Sequence, residues 1–171
     1  KEVVLTPVEG ITTAYEHARI AALTALRTGQ CRVVAASIEA LLQPTLSPEQ
    51  LDDSTILLRR DGTADLGELI RRLSACGYVR GESVSGQGQF SVRGDILDVF
   101  PVQLNAPVRI EFWDDEIDRI SSFNPLTGEE YDEQDELNIY PTNLFVTTQE
   151  RINKAIGQID VDLRTQVNPP K

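Results

Sequence analysis

The chain has 171 residues, 40 % of them hydrophobic, which is enough for one ordinary domain or two small ones sharing a core. No apolar run approaches the roughly 20 residues that span a bilayer, and Lys1-Glu-Val-Val-Leu5 meets Pro7 too soon to be a secretory signal. A formal charge of −11 argues against a free-standing duplex-binding module, whose phosphate contacts would call for a basic face.

Val3–Leu5 reads as a short buried strand. Thr13-Ala-Tyr-Glu16 fits a capping box, and Ala18, Ala21, Ala22, Ala25 and Leu26 follow as an apolar stripe at helical spacing. Gly29 is placed to end that helix in a left-handed turn. Arg32-Val-Val-Ala-Ala36 reads as a buried strand, and Ser37 as the cap of a short helix, Ile38–Leu42. Strand, helix, strand, helix predicts a parallel βαβ arrangement. Pro44-Thr-Leu-Ser-Pro48, with two prolines in five residues, is the clearest boundary in the chain.

A strand over Thr55–Arg59 comes next. After the turn at Asp61-Gly62, Asp65 caps a helix whose core face is Leu66, Leu69, Ile70 and Leu73 and whose stop is Gly77. Tyr78–Val84 then gives a further strand. Phe90–Val92 and Ile96–Phe100 are two strand segments joined through Arg93-Gly94-Asp95, and Pro101 ends the second. Gly94 sits where a strand prefers a side chain, so a bulge or a close backbone approach is expected there. Val108–Trp113 and Ile117–Phe123 complete an antiparallel meander. Glu129–Glu136 reads as a solvated acidic loop. Beyond Tyr140-Pro141, Thr147-Thr-Gln-Glu150 is a second capping box. Ile152, Ala155, Ile156, Ile159 and Leu163 then form an amphipathic stripe expected to pack on residues 1–45. The chain starts in an apparent strand and has no methionine, so a piece of a longer protein is expected.

Few residues offer chemistry. No GxxxxGK[ST] sequence is present, and Gly86-Gln-Gly88 precedes a strand, where a phosphate loop needs a helix amino terminus. Asp114-Asp115-Glu116 resembles a metal cluster but matches no calcium-loop spacing and fits a hairpin turn. Together with Asp98 it defines an alternative reading, a metal-dependent hydrolase. His17, the single histidine, lies on a predicted helix away from Cys31 and Cys76, so no nucleophilic pair is arguable. The cysteines lack a CxxC pattern and are expected as reduced thiols of a cytosolic protein. Arg93-Gly94-Asp95 spells the adhesion tripeptide without a secretory signal, a coincidence.

Arginines are the more informative set. Arg80 and Arg93 lie on consecutive predicted strands, with Phe90 on the second. Neighbouring strands bring side chains of one face together, so both guanidinium groups are expected to point one way, suited to an acidic partner. Either arginine could instead pair with Glu82 or Asp95, and such exposed pairs contribute little.

Gln89-Phe-Ser-Val-Arg-Gly-Asp-Ile-Leu-Asp-Val-Phe-Pro101, then Pro107-Val-Arg-Ile-Glu-Phe-Trp-Asp-Asp-Glu-Ile-Asp-Arg-Ile120 and Phe123-Asn-Pro-Leu-Thr-Gly128, resembles the UvrB-homology module. That module occurs in the excision-repair protein UvrB and near the amino terminus of the bacterial transcription-repair coupling factor. Ala40-Leu-Leu-Gln-Pro44 is more similar to the coupling factor, whereas Tyr140-Pro-Thr-Asn-Leu-Phe-Val-Thr147 is partly UvrB-like. The resemblance implies an α+β fold: a compact antiparallel-sheet-plus-helix module over 46–140, like the second domain of UvrB. The module would be inserted in a partial parallel α/β domain made of 1–45 and the returning helix in 141–171.

It further implies a non-catalytic bacterial cytoplasmic fragment that recruits the damage-recognition ATPase UvrA, with Arg80 and Arg93 in the contact surface and Phe90 nearby. UvrB members carry an arginine where this chain has Ser91, a departure that weakens the contact set. ATP, magnesium, RNA polymerase and double-stranded DNA would engage other parts of the parent protein, an ATP-driven DNA translocase. No cofactor or metal is expected in this chain.

Overall fold

The computed structural model describes residues 14–144 and 156–159. Among the described residues the helices are α1 (Ala14–Arg27), α2 (Ile38–Leu41), α3 (Pro48–Asp53) and α4 (Leu66–Ala75), and residues 156–159 are also helical. The strands are β1 (Ile56–Arg59), β2 (Val79–Arg80), β3 (Gln89–Arg93), β4 (Ile96–Val99), β5 (Val108–Trp113), β6 (Glu116–Phe123), β7 (Glu130–Glu133) and β8 (Glu136–Ile139). Among the described residues, β2 to β7 form one six-stranded sheet in sequence order, antiparallel except for the β2–β3 pair. β1 and β8 form a separate antiparallel ribbon. The architecture is α+β with an antiparallel sheet, as the sequence predicts.

Local chemistry explains most element boundaries. Asp65 accepts a hydrogen bond from the Glu68 amide at 2.6 Å and so starts α4, a cap worth about 1 kcal/mol. Gly77 ends the same helix at φ +89°, a conformation that side chains resist. Ser37 caps α2 as expected. At the end of the proline-rich segment, Ser47 and Gln50 form a reciprocal capping box with Pro48 at the first helical position, and α3 starts there. Leu46 is buried there, packed with Ile20, Leu51 and Val102. That small cluster docks α1 on the module.

The main core lies between one face of the sheet, α4 and the ribbon. It joins Leu69 and Leu73 of α4, Ile56 and Leu58 of β1, Leu137 and Ile139 of β8, and Phe90, Leu97, Val99, Val108, Ile110, Phe112, Ile117 and Ile120 of the sheet. Alternation along each strand sends these side chains inward and their neighbours outward.

Several expectations are corrected. Residues 32–36 form no strand, and Val33 and Val34 are exposed; no described strand lies beside them, so neither ladder bonds nor burial is available. The predicted βαβ arrangement is therefore not formed there. Helix α1 buries Ile20 and Thr24, with Leu23 against the second cluster, and leaves Ala18, Ala22 and Leu26 outside; the larger Ile and Leu side chains set its inner face. His17 is half-buried, not a surface side chain: its ring lies 3.0 Å from where a Cβ of Gly88 would stand. Tyr78–Val84 contributes only the two-residue β2. Gly94, at φ +60° with open space around it, shapes the two-residue β3–β4 turn, while the ladder irregularities fall at Glu111/Phe112 and Ser121/Ser122. Glu129–Glu136 supplies β7 and the start of β8, because its glutamates meet arginines across the sheet. Val3–Leu5, Thr13, the second capping box, and Ile152, Ala155 and Leu163 lie outside the described residues. Ile156 and Ile159 are helical but exposed, contrary to the expected packing.

Candidate docking face

Opposite the core, the sheet presents a polar face whose layout follows from register. Ser91, Asp98, Arg109, Ser121 and Glu133 stand opposite one another on β3 to β7. Arg93, Ile96, Glu111 and Arg119 form a second row across β3 to β6. Ion pairs link the two rows. The Asp98 carboxylate, only 4 % exposed, accepts from Arg109 Nε at 2.7 Å and Nη2 at 3.0 Å, and from Arg93 Nη2 at 2.8 Å. Arg109 donates its remaining nitrogen to Glu130 Oε1 at 2.9 Å and lies over the Phe123 ring, 4.6 Å from its centroid. Arg119 pairs with Glu111 and Glu130 at 3.1 and 3.0 Å, and the Ser121 hydroxyl donates to Glu130.

The electrostatics follow this network. Hydrogen bonding to Asp98, against an opposing effect of burial, raises the Arg109 pKa further, so it stays charged at any working pH. Burial pushes Glu130 up, but hydrogen bonds from Arg109 and Ser121 and the nearby arginine charges hold it below its ordinary value. Charges buried in this way need their partners. The arrangement can hold a rigid guanidinium at the surface; it has no nucleophile–base pair.

Arg93 fits that description. It stands at the end of β3 beside the glycine turn, its side chain 58 % exposed and held at one nitrogen by Asp98 in place of the alternative partner Asp95. Arg80 is exposed on the edge strand and makes no side-chain hydrogen bond or ion pair with the described residues, Glu82 included. The two arginines do not share a face. Arg80 stands opposite Phe90 in the β2–β3 register, on the core side, whereas Arg93 alternates with Phe90 and Val92 and lies on the polar side. Phe90 is 0 % exposed, so it cannot touch a partner itself; it anchors the strand that carries Arg93. Ser91 is also buried, and its hydroxyl oxygen has no hydrogen-bond partner.

The sequence reading does not reach Arg109, Glu111, Arg119 or Glu130 as site residues, and brings in Asp98 only as a candidate metal ligand. The strict alternation of Val108-Arg109-Ile110-Glu111-Phe112 was the signal that could have marked two of them as neighbours on one face. Asp114 and Asp115 make the β5–β6 turn, with Asp114 at φ +58°. Among the described residues no three histidine, cysteine or carboxylate groups converge as a metal site, so the hydrolase constellation with Asp98 is not assembled. No described helix is long and apolar enough to cross a membrane.

A family model described as the UvrB interaction domain matches residues 56–145, which takes in the ribbon, α4 and the whole sheet. Among curated relatives, UvrABC system protein B of Kosmotoga olearia is 37 % identical over 145 residues, covering 85 % of this chain and 22 % of that protein. The protein of the same name from Methanococcoides burtonii is 42 % identical over 124 residues, 71 % of this chain and 19 % of the relative. That of Micrococcus luteus is 34 % identical over 157 residues, 92 % of this chain and 22 % of the relative. The chain thus spans about a fifth of the length of the curated relatives it matches. With more than half of its residues matched by the family model, including every strand of the face just described, the chain belongs to the UvrB interaction domain family.

Proposed function

We propose that this chain is a non-catalytic docking module that binds UvrA in nucleotide excision repair, with Arg93 as its principal contact and Arg80 as a second contact at the sheet's edge. The observation that carries the reading is the Arg93 guanidinium, exposed yet fixed on a buried carboxylate. An arginine already held in place loses less side-chain entropy on meeting an acidic partner than a free one. The family description and the names of the relatives supply the excision-repair context.

Those names favour a UvrB-type parent over the coupling factor that the sequence resemblance first suggested. A coupling-factor parent is the second reading, carried by the similarity of Ala40-Leu-Leu-Gln-Pro44. The full-length parents differ in what they do. A UvrB-type parent would serve excision repair directly, whereas a coupling factor would displace stalled RNA polymerase in an ATP-dependent reaction. Either activity, with its ATP, magnesium and DNA, would belong to parts of the parent outside this chain, which acts in the bacterial cytoplasm.

Calorimetric titration of the chain with UvrA from the same organism tests the reading. Binding that weakens about thirtyfold in Arg93→Ala, with unchanged circular dichroism, is the expected result for a hot-spot arginine. Wild-type binding that does not change in either Arg93→Ala or Arg80→Ala would remove the site assignment.

A further inference from the structure

Trp113, the single tryptophan of the chain, is 80 % exposed at the end of β5. Large aromatic side chains seldom stand in water without a reason, since each can bury roughly 150–250 Å² of surface. Its position is specific. The burial pattern along β5 alternates, with Val108, Ile110 and Phe112 inward and Arg109, Glu111 and Trp113 outward, so Trp113 continues the polar face. It stands two residues beyond Glu111, whose cross-strand partners are Ile96 and Arg119; Ile96 in turn stands opposite Arg93. Residues two apart on a strand are separated by about 7 Å and adjacent strands by about 4.8 Å, so Trp113, Arg119 and Arg93 fall within one contact patch.

Nothing in the chain itself accounts for the exposure. Within the described residues the cation–π contact is Arg109 on Phe123, and the Trp113 indole makes no side-chain hydrogen bond. The core below is already closed by Phe112, and the turn beyond needs only Asp114 at positive φ. Phe90, the aromatic expected at the contact, is fully buried and leaves that role unfilled.

We propose that Trp113 is the aromatic anchor of the docking face and inserts into an apolar pocket of UvrA. This inference rests on the UvrA reading above and adds a specificity-determining residue to it. The charges around Trp113 define the pocket's rim. On the sheet side stands the exposed guanidinium of Arg93, which calls for a carboxylate on the partner. On the turn side stand Asp114, Asp115 and Glu116, all exposed, which call for lysine or arginine. An aromatic anchor between oppositely charged rims fixes orientation, because a partner turned around would set like charges together.

The test replaces Trp113 with 7-azatryptophan, which can be excited apart from ordinary tryptophan, and adds UvrA from the same organism. Acrylamide quenching of the probe should fall several-fold in the complex. Calorimetry should show Trp113→Ala weakening binding by at least about tenfold and Trp113→Phe by less. An exposed side chain at a strand end is not needed for folding, so both variants should match the wild type in circular dichroism. Wild-type binding with unaltered quenching and unaltered Trp113→Ala affinity would overturn the anchor and leave Arg93 standing. A wild-type chain that does not bind UvrA would overturn the underlying reading and the anchor with it. Quenching that falls with chain concentration alone would assign Trp113 to a contact between two copies, and would also overturn the proposal.

Discussion

Arg109 grips Asp98 with two parallel hydrogen bonds, Nε to Oδ1 at 2.7 Å and Nη2 to Oδ2 at 3.0 Å, at adjacent positions of β5 and β4. Both side chains are largely buried, and the same carboxylate holds the exposed Arg93. Arg109 thus keeps a buried charge paired, and through that charge it positions the surface arginine. The pair works as a strut beneath the docking face.

Removing the strut should damage folding before binding. Arg109→Ala leaves Asp98 with only Arg93 and strips Glu130 of a partner, so a loss of about 3–5 kcal/mol is expected. Urea denaturation of wild type and variant measures it. A loss below about 1 kcal/mol, the level of an exposed pair, would mean that water replaces the guanidinium freely.

Arg93 should behave in the opposite way. Its side chain is more than half exposed, and Arg109 still covers Asp98 when it is removed. Arg93→Ala should therefore change stability by about 1 kcal/mol or less while affecting UvrA affinity far more. Parallel urea melts and titrations separate the two effects.

For Phe90 the prediction is a core effect. Phe90→Ala should cost about 3–5 kcal/mol through the cavity it leaves. Phe90→Leu, which refills much of that space, should bind UvrA like the wild type. Loss of affinity in a fully folded Phe90→Leu protein would place this position at the contact after all.

His17 should make stability pH-dependent. Its half-buried ring lies against Gly88, and burial lowers its pKa from the ordinary value of 6.5, with Glu16 opposing. The unfolded chain then takes up the proton at higher pH than the folded one. Stability should fall as pH drops below about 6.5 and level off once the folded state is protonated too. Melting temperatures of wild type and His17→Gln between pH 7.5 and 5 should diverge, with the wild type losing more. Parallel curves would show that the ring is solvated in the folded protein.

Gly88 allows a companion test. At φ +80°, with His17 ring atoms 3.0 and 3.1 Å from an added Cβ, Gly88→Ala should cost about 1–3 kcal/mol. His17→Ala in the same chain should relieve the steric part and leave the cost of the backbone conformation. A double-mutant cycle with no coupling would remove the proposed contact.

Sequence alone determined what depends on near neighbours in the chain. Asp65 and Ser37 as caps, Gly29 and Gly77 as stops, and the β3–β4–β5–β6 meander all follow from short-range chemistry and strand alternation. The alternation also held the information that Phe90 and Arg93 face opposite sides, but not which side would be covered. That depended on α4 and the β1–β8 ribbon, which close over the face containing Phe90 and leave the other to arginines and carboxylates. Glu130 reads as loop in sequence because an acidic run has no local reason to extend; Arg109 and Arg119, brought beside it by register, supply that reason. Val33 and Val34 show the converse, a strand-like sequence with no strand beside it. Arg80 and Arg93 were placed on one face by strand proximity, and the parallel β2–β3 register placed them on two. Propensity and pattern act over a few residues, whereas register and burial belong to pairs of segments distant in sequence, so only the tertiary structure could assign the docking face.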